Sequence, residues 1–447
     1  MQNTSLWRGL LGVDKTTIIE AVAYAEDQDI VVVDVRPAKR FTPRCGVCER
    51  RAVFYDPGEG PRRWRGLDLG TVPVYLQSQA PRVDCRVHEV TVAQVPWARH
   101  SARHTYHFEQ QAAWLATKTS KTTVTQLMRI GWRTVGSMVS RVWAGGQAQH
   151  DRFDGLVRIG IDEISYKKGH KYLMIVVDHD TKNLVWAGVG RSTATLEEFF
   201  DALGEDRSAQ ITHVLADGTP FIAKVVAQRC PNAIRMADPF HVVKWATDAL
   251  NDVRRQSWNE ARQLAGAEPK RPRGRPAADA PPAPQSQRAK GLKGARFALL
   301  KNPEDLTQNQ THKLAWIVKA DPRLYRAYLL KEGLRAVFKL PVDAAGEALD
   351  GWISWAKRCR IPEFVKLQRT IVKHQDQTLA AIEHRLSNGL IESTNTKIGL
   401  MTQMAFGFKS ADALIALAML SLGAHRPVLP GRPLTHGNDR SAWFSLC

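Results

Sequence analysis

LVRIGIDEIS (156–165) decides how this chain is read. Its apolar residues run almost unbroken up to Asp162, the pattern of a strand covered on both faces that carries one carboxylate to a site. Working outward, YLMIVVDHD (172–180) and LVWAGVG (184–190) are two more strands, parted by the turn residues Thr181, Lys182 and Asn183. TATLEEFFDALG (193–204) has helical spacing, and ITHVLAD (211–217) is a fourth strand running into Asp217. PFIAKVVAQRC (220–230) is a helix opened by proline, and AIRMAD (233–238) is a fifth strand. Far downstream, SNGLIESTNTKIG (387–399) opens another helix with Glu392 near its start.

The order of three strands, helix, strand, helix, strand matches a ribonuclease-H-like mixed-sheet core. In such a core the first carboxylate lies on strand one, the second just after strand four and the third on a later helix. Asp162, Asp217 and Glu392 stand at those places, and carboxylates so gathered hold divalent cations around a scissile phosphate. Neighbouring acids compete for the roles. Glu163 alternates to the other side of its strand and reads as a surface acid, and Asp178 and Asp180 read as turn residues. Asp238, with His241 close behind it, is either an alternative second acid or a residue that supports the others or positions DNA.

Composition narrows the partner. The 447 residues, 44% of them apolar, suffice for about three domains with full cores. A formal net charge of +19 and a pI near 9.8 point to a polyanion. The most apolar run, 413–424, falls short of the roughly 18 residues that span a bilayer, and the start MQNTSLWRGLLGVDKTT lacks a secretory apolar segment. The expectation is a cytoplasmic protein on nucleic acid, with no membrane partner.

Cysteine use fits a reducing compartment. Cys45 and Cys48 form a C-x-x-C, and Cys85 is followed by His88, so two knuckle-like pairs supply four ligands for structural Zn2+. Arg44, Arg50, Arg51, Arg62, Arg63 and Arg65 surround them, which suits a finger lying against phosphates. After the finger, helical spacing recurs in FEQQAAWLATKT, KTTVTQLMRI and WRTVGSMVSRVW within 108–143, with Gly131 between the last two: a helix-turn-helix pattern. Val135, Met138, Val139 and Val142 would face the core, leaving Arg133, Ser137 and Arg141 free for a major groove.

The stretch from Asp238 to Glu392 is too long for a loop in a compact domain. HKLAWIVKA, LYRAYLLKEGLRAVF, AGEALDGWISWAKRC and EFVKLQRTIVKHQDQTLAAIEHRL make it an all-helical insertion, with Trp316, Trp352 and Trp355 expected in its core. Within it, EPKRPRGRPAADAPPAPQSQRAKGLKGAR reads as a disordered basic linker. Its RPRGRP (271–276) looks like an AT-hook that would place Arg271, Arg273 and Arg275 in a minor groove, or equally like a solvated basic segment. The expected division is a zinc-finger domain at 1–100, a helix-turn-helix at 101–150 and a first core part at 151–255. A linker at 256–296, the helical insertion at 297–386 and core completion at 387–447 follow.

Four runs then carry a family resemblance: DEISYKKGHKYLMIVVDHDTKNLVWAGVGR (162–191), LADGTPFIAKVVAQRCPNAIRMADPFHVVKWATDALNDVRR (215–255), LKGARFALLKNPEDLT (292–307) and SNGLIESTNTKIGLMTQMAFGFKS (387–410). Together, and in this order, they resemble the DDE transposases of the ISL3 insertion-sequence family, and the finger and helix-turn-helix ahead of them are similar to that family's N-terminal half. The resemblance implies binding of terminal inverted repeats and metal-dependent cleavage and strand transfer into target DNA, by a homo-oligomer at the nucleoid of a bacterium. It implies two Mg2+ per site, with Asp162 bridging both, Asp217 on one and Glu392 on the other, and Lys397 as a further DNA contact. The attacking oxygen would be water and then a DNA 3′-hydroxyl, so no protein nucleophile is needed. A DNA-binding regulator with an inactive core and a structure-specific nuclease are the competing readings.

Overall fold

The computed structural model describes residues 4–216, 219–267, 284–384, 386 and 388–432. They fall into two compact units, one running to Arg152 and resuming at Ile398, the other spanning Phe153–Lys397.

The first unit begins with α1 (Thr4–Leu11) and a β-hairpin that the sequence reading did not anticipate, β1 (Thr17–Ala25) and β2 (Ile30–Pro37). Two β-branched runs flank an acidic turn, with Asp29 in the left-handed region at φ 51°. After β3 (Val53–Asp56) come β4 (Pro61–Arg65) and β5 (Val74–Gln79), which complete a four-stranded sheet of order β1-β2-β5-β4. Its core holds Val33, Val74, Leu76 and Trp64, the last edge-on to Trp97 at 5.5 Å. β3, β6 (Arg82–Cys85) and β7 (Glu89–Val92) form a separate antiparallel ribbon of order β3-β6-β7.

Three helices follow: α2 (Tyr106–Lys118), α3 (Lys121–Met128) and α4 (Trp132–Gln149). Each start has a local cause. Thr105 and Ser120 accept from the backbone N–H groups of Phe108 and Thr123, and Arg129 in the left-handed region ends α3 just before Gly131 opens α4. Val135, Met138, Val139 and Val142 are buried with Phe108, Ala112 and Val124. Ala416 and Leu420, from a helix near the end of the chain, join the same cluster.

The second unit is built on β8 (Arg158–Lys167), β9 (Lys171–Asp178) and β10 (Leu184–Val189), then α5 (Thr193–Leu203), α6 (Glu205–Gln210), β11 (His213–Ala216), α7 (Pro220–Arg229) and β12 (Ile234–Ala237). The sheet order is β10-β9-β8-β11-β12; β8, β9 and β10 pair antiparallel, whereas β11 lies parallel to both β8 and β12. Ile159, Met174, Phe199, Phe200 and Val225 fill the space between this sheet and its helices. Asp162 is therefore mid-strand, since β8 runs on to Lys167. Asp178 accepts from the backbone of Asp180 and the hydroxyl of Thr181, the turn role expected of it.

Beyond β12 the described residues form α8 (Pro239–Ala267), α9 (Pro284–Lys293), α10 (Arg296–Leu300), α11 (Gln308–Ala320), α12 (Pro322–Val337), α13 (Val342–Arg358), α14 (Pro362–Lys373), α15 (Gln375–Glu383), α16 (Gly389–Met404) and α17 (Ala411–Leu422). The division between the two units falls inside α16. Leu250, Leu330, Leu334, Leu349, Trp352 and Phe364 share one core in which the Trp352 indole donates to the Leu330 carbonyl at 2.7 Å. Two expectations change. Residues 256–267 continue α8 and 284–293 form α9, whose Ala289 and Leu292 are buried in the helical core, so the basic linker contracts at both ends. Trp355 stands at the surface, 37% exposed, while Trp316 is half-buried. Arg271, Arg273 and Arg275 lie outside the described residues.

Candidate functional site

Local folding brings the finger residues together. Cys45 and Cys48 sit in a knuckle whose Glu49 N–H donates to the Cys45 carbonyl; Cys85 ends β6, and His88 precedes β7. Their ligand atoms all lie within 4.8 Å of one another. Cys48 Sγ is 3.7 Å from Cys85 Sγ, and Cys45 Sγ is 3.7 Å from His88 Nδ1. A tetrahedral ion with bonds of about 2.3 Å to sulfur needs edges of that size, so the four residues fit zinc. Backbone N–H groups of Val87 and His88, and then the His88 side chain, pull the Cys85 thiol down to about 6, toward the thiolate a metal requires. Gly46 is a close-approach position: a Cβ there would stand 2.6 Å from the Val92 carbonyl.

The face of α4 is only partly as expected. Arg133 and Ser137 are exposed, and Ser137 Oγ donates to the Arg133 carbonyl. Arg141 is not free: its guanidinium holds Glu109 of α2, a fully buried carboxylate that Arg99 grips from the other side at 2.9 Å. A buried charge demands partners, and α4 supplies one from the edge of its polar face. Arg65 is likewise removed from the surface set, being buried, bonded to Asp68 and stacked over Phe108.

Among the acids, Asp162 Oδ2 accepts from Asn395 Nδ2 of α16 at 2.7 Å, and its Oδ1 accepts from the Glu163 N–H at 2.8 Å. Glu163 itself is paired with Arg191. Glu392 is exposed in the first turn of α16, three residues before Asn395. The β8–β11 ladder ends at Ile161↔Ala216, one residue before Asp162. Asp217 lies outside the described residues. Asp238 is buried at the start of α8, where its Oδ1 caps Phe240 N–H and its Oδ2 meets His241 Nδ1 at 2.5 Å and Asn388 Nδ2 at 2.9 Å. Lys397 is exposed on α16.

Asn388, Ile391 and Asn395 were missed by sequence reasoning, and they dock α16. Ile391 is fully buried against Gly160 of β8, where a Cβ would meet its Cδ1 at 2.5 Å. The signal was present as spacing: 388, 391 and 395 recur on one helical face, with Glu392 beside it. His179, whose Nε2 lies 2.7 Å from the same Cβ position at Gly160, is held below the usual histidine range mainly by burial.

Comparison with known proteins agrees with this organisation. A family model described as a transposase matches residues 159–418. A helix-turn-helix domain of transposase family ISL3 matches 93–143, and a zinc-finger of transposases IS204/IS1001/IS1096/IS1165 matches 42–88. The chain is 59% identical to the transposase for insertion sequence element IS1557 of Mycobacterium tuberculosis (strain H37Rv) over 436 residues, covering 97% of this chain and 98% of that one. It is 24% identical to the transposase for insertion sequence element IS1001 of Bordetella parapertussis over 78% of this chain and 82% of that one. Among the described residues no helix is long and apolar enough to cross a membrane. With zinc ribbon, helix-turn-helix and transposase regions in this order, the chain belongs to the ISL3 family of insertion-sequence transposases, DNA-binding proteins that mobilise DNA.

Proposed function

We propose that this transposase cleaves DNA at the terminal inverted repeats of its own element and joins the freed 3′ ends to target DNA, as a homo-oligomer, with Asp162, Asp217 and Glu392 holding Mg2+. The sheet of the second unit is read as a ribonuclease-H-like core, which its strand order β10-β9-β8-β11-β12 supports. Helices α8 to α15 are read as an insertion before α16. The bond from Asn395 to Asp162 carries the reading, because it ties the helix bearing Glu392 to the strand bearing the first acid. The donor set fits a hard cation: Asn395 orients one carboxylate oxygen, and Glu392 stands exposed one helical turn away. Mg2+ bound there would stabilise the attacking and leaving oxygens of an in-line displacement.

The remaining steps belong to the chain's own residues. Asn395 orients the Asp162 carboxylate through its amide N–H. Asp238, through Asn388, anchors the start of α16 and so positions Glu392; this is a positioning role, in which Asp238 spends its oxygens on a cap, a histidine and an amide. The four finger ligands hold structural Zn2+, and Arg133, Ser137 and Lys397 meet DNA. The test is nicking of a terminal-repeat duplex by Asp162→Asn, Asp217→Asn and Glu392→Gln, with binding measured in parallel. All three should bind like wild type and fail to nick; wild-type nicking by any one removes that acid from the site, and loss of nicking in Asp238→Asn but not Asp217→Asn would transfer the role to Asp238.

A further inference from the structure

We infer that a cleft beside the zinc ribbon clamps the phosphodiester backbone of duplex DNA without regard to base sequence, an inference that rests on the DNA-binding reading above. The cleft measures about 640 Å³ and is lined by Arg62 and Arg63 of β4 and by Arg99, His100 and Arg103 of the segment joining β7 to α2. Among the described residues no acid lines it. Trp64 and Ala98 are buried beneath it.

The arginines stand on fixed backbone. Arg62 and Arg63 are paired across to Ser78 and Gln77 of β5, and Arg65, the last residue of β4, donates its N–H to the Arg103 carbonyl and accepts the Thr105 N–H at its own carbonyl. Little backbone freedom is therefore lost on binding an anion. Their charges also outnumber the carboxylates that answer them. Arg63 bonds the neutral Gln77, and among the described residues Arg62 and Arg103 have no carboxylate partner. Arg99 shares Glu109 with Arg141, two cations on one anion. Such a gathering of like charge is relieved by a polyanion, and the planar guanidinium fork suits phosphate oxygens.

Position selects DNA as the occupant. Thr105, two residues after Arg103, is the cap of α2, so the cleft opens beside the first helix of the helix-turn-helix. Its arginines converge from a strand and a loop on a cleft that no acid lines among the described residues, a setting for phosphate contacts, which carry no sequence information.

The test uses the full-length protein with labelled duplexes of terminal-repeat and scrambled sequence, titrated at several salt concentrations. Replacing Arg62, Arg63 and Arg103 by Ala should weaken both duplexes alike, about tenfold or more, and reduce the log–log salt slope by roughly two to three. Replacing the same residues by Lys should keep the slope, because charge is retained. Arg133→Ala serves as the contrast and should lose affinity for the repeat duplex only. An unchanged slope in the Ala variant, a loss confined to the repeat duplex, or an equal collapse of the Lys variant would each overturn the clamp. Wild-type protein binding neither duplex would instead overturn the DNA-binding reading, and the clamp with it.

Discussion

The two candidate metal centres are built in opposite ways. In the ribbon, three thiols and an imidazole converge within 4.8 Å, and Cys45 and Cys85 are buried. In the second unit the acids come from a mid-strand position and a helix separated by most of the helical region, and Glu392 is exposed. A closed set of soft ligands is a folding device, while an open set of carboxylates leaves room for water and a phosphate. The difference teaches where to look for each: the first in ligand spacing along the chain, the second in what docks the element carrying the last acid.

The largest effect should come from breaking the closed centre. Cys45→Ser or Cys85→Ser should remove zinc and, with it, folding free energy on the order of 10 kcal/mol. Elemental analysis should find one zinc per wild-type chain and none in the variants, with repeat-specific binding lost. Acid should do the same more gently. The Cys85 pKa is depressed in the folded chain, to about 6 from 9.0, so the stability it contributes is present at high pH and lost as pH falls from 9.0 through about 6. A metal-free chain equally stable to denaturant at pH 5 and pH 9 would contradict this.

Next comes the ion pair that ties the ribbon side to the helices. Arg141→Ala leaves the buried Glu109 with Arg99 alone and should cost about 3 kcal/mol in thermal or denaturant unfolding. Repeat and scrambled duplexes should suffer equally, because Arg141 is a structural residue; selective loss on the repeat would return it to the groove. Smaller again is Gly160→Ala, which pushes Ile391 and α16 off β8 at a cost of about 1–3 kcal/mol. Nicking should fall further than stability does, since Glu392 rides on that helix. Equal, slight changes in both would mean that α16 need not sit close.

Much of this was legible in the sequence because local rules dominated it. The strand run at 156–190 alternates with its turn residues as physics requires, and the knuckle spacing of Cys45, Cys48, Cys85 and His88 is short-range chemistry. What escaped was long-range. Nothing in ADALIALAML announces that Ala416 and Leu420 join the cluster of α2 and α4. The β1–β2 hairpin, TIIEAVAYA against IVVVDVRP, turns through EDQD, which lacks the glycine that marks a tight hairpin, and QSQRAKGLK is so polar that Ala289 and Leu292 give too faint a helical stripe. Arg141 looked free because the partner that claims it, Glu109, is itself hidden only by folding.

The open centre rests on one claim, that Asp162 and Glu392 hold the same metal-dependent step from β8 and α16. Replacing each by Cys tests it directly, since a thiolate is a poor ligand for Mg2+ and a better one for softer divalent ions. Nicking of a terminal-repeat duplex should vanish in Mg2+ for Asp162→Cys and for Glu392→Cys and return in Mn2+, while wild type works in both. Cysteine variants that nick at wild-type rate in Mg2+ would contradict the account.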